Sequence, residues 1–231
     1  MDDAYFSLRN VAATDYNNFA IPAYVMRLLP DKRARILDFG CGFGQLIEAL
    51  HRHGFAHVAG ADISAIAIRH LLQKGLDGHD LAYESDFFDT YAAQFDFIIM
   101  SHVLEHIPKT EMTAMLVKIR SLLRDGGQLL IMVPNAQSNT HGYWAYEDFT
   151  HTTLFTSGSL LYVLHAAGFT DVMFVDKDCT AGLSPLKAVL KKCLLSIYKT
   201  NKHFWNKVTS SAFHAPSPLI FSYEIKAVAK N

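Results

Sequence analysis

Ile36-Leu-Asp38-Phe-Gly40-Cys41-Gly42-Phe-Gly44 decides how this chain is read: an apolar strand runs into an acid and then three glycines at alternate positions. Glycine tolerates the positive φ of a tight turn and lets a ligand come close to the backbone. The next residues, Gln45 to Gly54, read as a helix, whose first N–H groups have no intrahelical partner and point at whatever the loop holds. A dinucleotide fingerprint is G-x-G-x-x-G, with the helix dipole facing a pyrophosphate. Here the spacing is G-x-G-x-G behind Asp38. A carboxylate at the mouth of the loop repels phosphate and suits a cationic ligand.

Outward from the loop, a second strand, His57 to Ile63, contains Asp62, 18 residues beyond Gly44. Leu81–Ser85 reads as a third strand leading to Asp86-Phe87, and Phe95–Ser101 as a fourth that opens onto His102-Val-Leu-Glu-His106-Ile-Pro108. Gln128–Val133 reads as a fifth, after a helix stop and turn at Arg124-Asp-Gly-Gly127. This succession, over roughly residues 34–178, resembles the class I S-adenosylmethionine (SAM) dependent methyltransferases, whose first motif is similar to Leu37–Gly44 and whose fourth is similar to the segment after Ser101. The resemblance implies an α/β, Rossmann-like sheet of seven mostly parallel strands with an antiparallel edge hairpin and helices on both faces. It also implies SAM as cofactor. On that reading Asp38, Gly40, Cys41, Gly42, Gly44 and Gln45 hold its aminoacyl end, and Asp62, beside Ile63, accepts the ribose hydroxyls. Asp86 with Phe87 meets the adenine, and Ser101 and His102 lie by the methyl group.

At 231 residues, half of them apolar, the chain has enough material for one core. Its parts are expected to be a helical cap over 1–33, the core over 34–178, a basic insert over 179–217 and a last strand over 218–231. Cys41, Cys179 and Cys193 have neither metal-ligand nor disulfide spacing, which favours a reducing cytosol. The N-terminus lacks a secretory pattern, and no apolar run reaches the roughly 20 residues a membrane span needs. Thr14–Leu29 reads as a helix over the cofactor mouth, with Tyr5, Phe6 and Arg9 covering the methionine end.

Charge is unevenly distributed. Residues 1–178 carry 13 Lys and Arg against 21 Asp and Glu, whereas 179–223 carry six lysines and no acid. Between an expected sixth strand at Asp171–Asp178 and a seventh at Leu219–Ala229, Leu183, Leu186, Val189, Leu190, Cys193, Leu194, Ile197 and Tyr198 recur at helical spacing, with the lysines mostly on the other face and Pro185 in the first turn. About forty residues in place of a short hairpin connection call for a role. One reading docks residues 183–207 on an anionic membrane surface; the other packs the apolar face on the domain. The acidic remainder argues against nucleic acid.

A hydroxyl acceptor has to lose a proton during methyl transfer, and histidine is the side chain matched to neutral pH. Two candidates present themselves: His151, oriented by Asp148 in the manner of an acid-histidine pair, and His106 after the fourth strand. His102, His106, Asp148 and His151 have the chemistry of a divalent-metal site, but methyl transfer needs none, and none is expected. The stretch Glu147–Leu160 is similar to bacterial methyltransferases of sugars and surface polysaccharides, and more loosely to quinone-ring O-methyltransferases. The aromatic and amide residues between Pro134 and Phe155 read as a substrate wall. The expected reaction is O-methylation of a sugar in a surface glycan or lipid-linked precursor by a cytoplasmic or peripheral inner-membrane enzyme. The alternatives are O- or C-methylation of a quinone-type or other lipophilic small molecule, and a silent SAM-binding scaffold.

Overall fold

The computed structural model describes residues 4–16 and 19–231. Its strands are β1 (Arg35–Phe39), β2 (His57–Asp62), β3 (Asp77–Asp80), β4 (Phe95–Ser101), β5 (Leu123–Pro134), β6 (Thr170–Phe174) and β7 (Glu224–Lys230). They form one sheet in the order β3-β2-β1-β4-β5-β7-β6. The first five run parallel, and β7 lies antiparallel between β5 and β6. The helices are α1 (Ala4–Leu8), α2 (Ala23–Leu28), α3 (Gln45–Arg52), α4 (Ala65–Gln73), α5 (Phe87–Thr90), α6 (Lys109–Leu122), α7 (His141–Glu147), α8 (Ser157–Ala166) and α9 (Pro185–Val208).

Successive strand residues point to opposite faces, and both faces are covered. Leu37, Phe39, Ile98, Met100, Leu129 and Ile131 pack with Met112, Leu116 and Ile119 of α6 and Leu160 and Leu164 of α8. Ile36, Phe97, Ile99 and Leu130 pack on the other side with Leu46, Ile47 and Leu50 of α3 and Ile68 and Leu71 of α4. Double coverage is why β1 and β4 read as continuous apolar runs rather than as alternating ones. The carboxyl ends of the parallel strands share one edge, where open α/β sheets bind their ligands.

Several element boundaries differ from the sequence reading. The third strand is Asp77–Asp80; Leu81–Ser85 instead turns back on Asp80, whose carbonyl accepts from the Tyr83 and Glu84 N–H groups and whose side chain accepts from Ala82. Arg124–Gly127 is an irregular opening of β5, with Gly126 at φ +74, so that strand begins at Leu123. β6 is shorter and β7 starts later than expected. Thr14–Leu29 is not one helix: the described residues form a 3-10 turn at Ala13–Tyr16 and then α2, with Pro22 just ahead of it. Thr156 caps α8 through a reciprocal bond with Ser159.

Candidate active site

The three glycines after β1 have φ of +80, +52 and +79. They serve different ends. A Cβ on Gly40 would lie 2.2 Å from Val103 and one on Gly44 2.4 Å from Leu71, whereas one on Gly42 would meet only the Phe6 ring, at 3.6 Å. Gly42 therefore gives backbone access, while Gly40 and Gly44 allow close packing. Gly44 does not border the cavity, contrary to the expectation that it clears a ligand.

That cavity, of about 760 Å³, opens at the carboxyl edge of the sheet. Asp38, Gly40, Cys41, Gly42, Gln45, Asp62, Ile63, Ser101 and His102 line it, with Tyr5, Phe6 and Arg9 of the N-terminal segment across from them. Asp62 fixes the loop by accepting from the Gly42 N–H at 2.9 Å and the Ser64 N–H at 2.9 Å. Each carboxylate oxygen keeps a further lone pair for a ligand donor. Burial, and then the nearby Asp62 charge, push the Asp38 carboxyl up to about 7, and burial raises Asp62 as well. Neither acid has a cationic partner among the described residues. On the same wall the buried Gln45 Oε1 has no hydrogen-bond partner. Two uncompensated acids and an orphaned acceptor fit a ligand that brings cationic groups and hydroxyl donors, as SAM does.

The adenine expectation needs correction. Asp86 is exposed and accepts from the Thr90 hydroxyl. Phe87 is 1% exposed and buried among His79, Phe88 and Tyr91. The corresponding wall is made by Leu81, Glu84, Ser85 and Phe88. The displacement follows from β3 ending at Asp80: the turn after it brings 84, 85 and 88 to the edge and sends Phe87 into the core.

A network of histidines and acids lies beyond Ser101. His102 has a strained φ of +55, and its two ring nitrogens lie 3.2 Å from Glu105 and 3.2 Å from Glu224. Burial opposes charge on this ring, but the two carboxylates outweigh it and lift the pKa to about 10, so His102 is an imidazolium at neutral pH. His106 borders the cavity, and its Nδ1 lies 2.8 Å from Thr150 Oγ1. The Thr150 hydroxyl donates to Asp148 Oδ1 at 2.6 Å, so its oxygen accepts from His106 Nδ1–H and the other ring nitrogen carries the lone pair. Burial lowers the His106 pKa.

Asp148 does not orient His151: the ring's Nε2 is 3.9 Å away, and His151 Nδ1 instead meets the Trp144 carbonyl at 2.7 Å. The His151 side chain is 6% exposed and does not border the cavity. Asp148 anchors the N-terminal segment, accepting from Tyr5 OH at 2.7 Å and pairing with Arg9 at 2.8 Å. Despite burial, the Thr150 and Tyr5 hydrogen bonds hold its carboxyl at about 2. Glu105, His106 and His151 each offer a ligand atom within 4.8 Å of the others, a donor set of the kind divalent ions accept.

The aromatic and amide loop does not form a cavity wall. Asn135 is fully buried and donates to the Ile220 and Ser222 carbonyls, while Tyr143, Tyr146 and Phe149 face solvent. Sequence reading missed Glu105 and Thr150, although both sit inside stretches it singled out. It also missed Glu224, which is 122 residues from His102 and leaves no local signal.

The family model described as "Methyltransferase domain" matches residues 15–173. A ubiquinone biosynthesis O-methyltransferase of Xylella fastidiosa is 34% identical over 117 residues, 48% of this chain and 46% of that protein. One of Aromatoleum aromaticum is 36% identical over 107 residues, 44% of each. The chain thus spans about half the length of these curated relatives. A SAM dependent methyltransferase from Archaeoglobus fulgidus superposes with a TM-score of 0.65 at 19% identity, over 98% of both chains. With the seven-stranded order, the glycine loop and its two acids in place, the chain belongs to the methyltransferase domain family, in the class I SAM-dependent fold.

Proposed function

We propose that the chain O-methylates a lipophilic, quinone-type acceptor, with His106 as the base that takes the hydroxyl proton. The observation that carries this is the chain from His106 Nδ1 through Thr150 to Asp148 at the cavity wall. It fixes the ring and leaves Nε2 free to accept a proton. Bound SAM supplies a methyl group already electrophilic on its sulfonium. The protein's part is to align the acceptor, as such alignment can supply about 7 to 11 kcal/mol, and to remove one proton. The carboxylates of Asp38 and Asp62, with Gln45 beside them, are the groups proposed to hold SAM. Leu81, Glu84, Ser85 and Phe88 take the place given to Asp86 and Phe87 in binding the adenine.

The acceptor class rests on two supports. Val103, Ile107, Pro108 and Met115 give the cavity an apolar side, and the curated relatives are named for ubiquinone O-methylation. A glycan acceptor has less behind it, because neither the apolar side of the cavity nor the names of the curated relatives point to a sugar. A cytoplasmic enzyme working at a membrane surface suits an acceptor that partitions into lipid.

The test pairs methyl-labelled SAM with a lipophilic catechol and, separately, with bacterial glycan fractions. Label is expected on the catechol oxygen, and His106→Ala is expected to lower kcat by roughly 10²–10⁴ with SAM affinity kept. Label confined to glycan would overturn the acceptor. Full SAM binding with no transfer to any acceptor would favour the silent scaffold, and a loss on His151→Ala with none on His106→Ala would return the base to His151.

A further inference from the structure

The helix α9 presents the wrong face to the protein for a helix that merely packs. Its sheltered side carries Ala188, Lys191, Leu195, Tyr198, Lys199 and Lys202. Two of these lysines tie it down: Lys191 donates to the Cys179 carbonyl at 2.7 Å, and Lys199 pairs with Asp178 at 3.1 Å. The outer side exposes Leu186 (81%), Leu190 (58%), Ile197 (69%), Phe204 (56%) and Val208 (56%), spaced at the four- and seven-residue steps that make one stripe. Lys187, Lys192 and Lys207 are exposed as well. Of the two sequence readings of this insert, packing of the apolar face on the domain is the one the structure contradicts, because no residue of α9 is buried.

The place of the helix matters as much as its face. β6 runs parallel to β5, since both pair antiparallel with β7. The chain therefore leaves β6 and re-enters at Glu224, opposite Pro134, on the carboxyl edge of the sheet where the cavity opens. The connection meets the site directly, Glu224 lying against His102 and the Lys226 ammonium against Asp176.

We infer that α9 is a docking surface for an anionic phospholipid bilayer, lying in the headgroup plane with its apolar stripe inserted and holding the cavity edge toward the lipid. Charge selects this occupant: with Lys191 and Lys199 tied to the domain, the lysines left exposed on α9 are Lys187, Lys192 and Lys207, and residues 179–223 carry no acid to balance them, so two copies meeting through α9 set like charges against one another. Among the described residues no helix is long and apolar enough to cross a membrane, which leaves the interfacial mode. The consequence for the reaction rests on the lipophilic-acceptor reading, namely that docking brings the cavity to an acceptor dissolved in the bilayer. Docking itself does not.

The test is flotation of the full chain with vesicles of phosphatidylcholine alone or mixed with phosphatidylglycerol. The emission of Trp205, 53% exposed on α9, is followed in a Trp144→Phe background. Binding to the mixed vesicles with a blue shift is expected, weakened at least about tenfold by salt that shortens the Debye length to a few ångströms. Leu190→Glu with Ile197→Glu is expected to abolish it while SAM binding stays intact. The proposal is overturned by no flotation, by equal binding to both vesicle types, by α9-dependent dimers that those substitutions dissociate, or by duplex DNA competing the protein off vesicles. Failure to methylate a catechol leaves these outcomes untouched, so the two proposals fail separately.

Discussion

Asp38, proposed to hold SAM, is the group whose titration is expected to report cofactor binding most directly. Its carboxyl lies at about 7 in the free protein because it is buried and faces Asp62 with no cation beside it. A ligand bringing positive charge needs it ionised. At pH 6 such a group is about one-tenth ionised and at pH 8 about nine-tenths. The dissociation constant for SAM is therefore expected to be about tenfold weaker at pH 6 than at pH 8, a difference of about 1.4 kcal/mol, and the raised Asp62 steepens the trend. The same shift acts on folding. Between roughly pH 4 and 7 the folded state holds a proton on Asp38 that the unfolded chain has released, so the free protein loses stability as pH rises, by a total on the order of 4 kcal/mol. SAM reverses this, and its stabilising effect is expected to grow with pH. Calorimetric titration at pH 6, 7 and 8, in two buffers of different ionisation enthalpy, measures both affinity and the proton released on binding. Asp38→Asn is expected to bind weakly and to lose most of the slope. Equal affinity at pH 6 and 8 without proton release would refute the reasoning, and so would an unchanged slope in Asp38→Asn.

Burial lowers the His106 pKa from its ordinary value, so with SAM saturating, kcat is expected to rise with pH through an acid limb that lies below that of an ordinary histidine; a limb lying above neutrality counts against His106 as base. Thr150→Val, which removes the hydroxyl between His106 and Asp148, is expected to lower kcat about tenfold or more with SAM affinity unchanged, read by steady-state kinetics beside calorimetry. Thorough chelation is expected to leave turnover unchanged even though Glu105, His106 and His151 converge, and loss reversed by a divalent ion would make them a metal site. Gly44→Ala combines a φ of +79 with a Cβ 2.4 Å from Leu71, whereas Gly75→Ala has a φ of +71 and nothing within 4 Å; denaturant unfolding should show about 1 kcal/mol lost for the second and about 1 to 3 more for the first.

The fold was legible wherever the local pattern matched its final surroundings. β1, β2 and β4 are apolar runs closed by Asp38, Asp62 and Ser101, and they are long and apolar because helices cover both of their faces. β3 was not legible, since Asp77-Gly-His-Asp80 is polar and becomes a strand only by pairing with the exposed edge of β2. The more strand-like Leu81–Ser85 is claimed by the turn that Asp80 organises. Tertiary pairing there overrides local preference, and the error carries straight into the adenine wall, because a strand ending at Asp80 rather than at Ser85 puts a different set of side chains at the edge.

The same logic separates the two halves of the site. Residues for the cofactor lie within a few positions of strand ends, so their neighbours in sequence are their neighbours in space, and most of those expected from the glycine loop do border the cavity. The acid-base residues answer to partners from distant elements. Asp148 looks like an orienter for His151, three residues on, but the loop turns the His151 ring to the Trp144 carbonyl and gives Asp148 to Tyr5, Arg9 and Thr150. Thr150 then serves His106, 44 residues away in sequence. A carboxylate with several lone pairs goes to the donors the fold brings nearest. A proton path is thus a property of the packed loops. Closeness in sequence pairs Asp148 with His151, whereas the packed loops join it through Thr150 to His106.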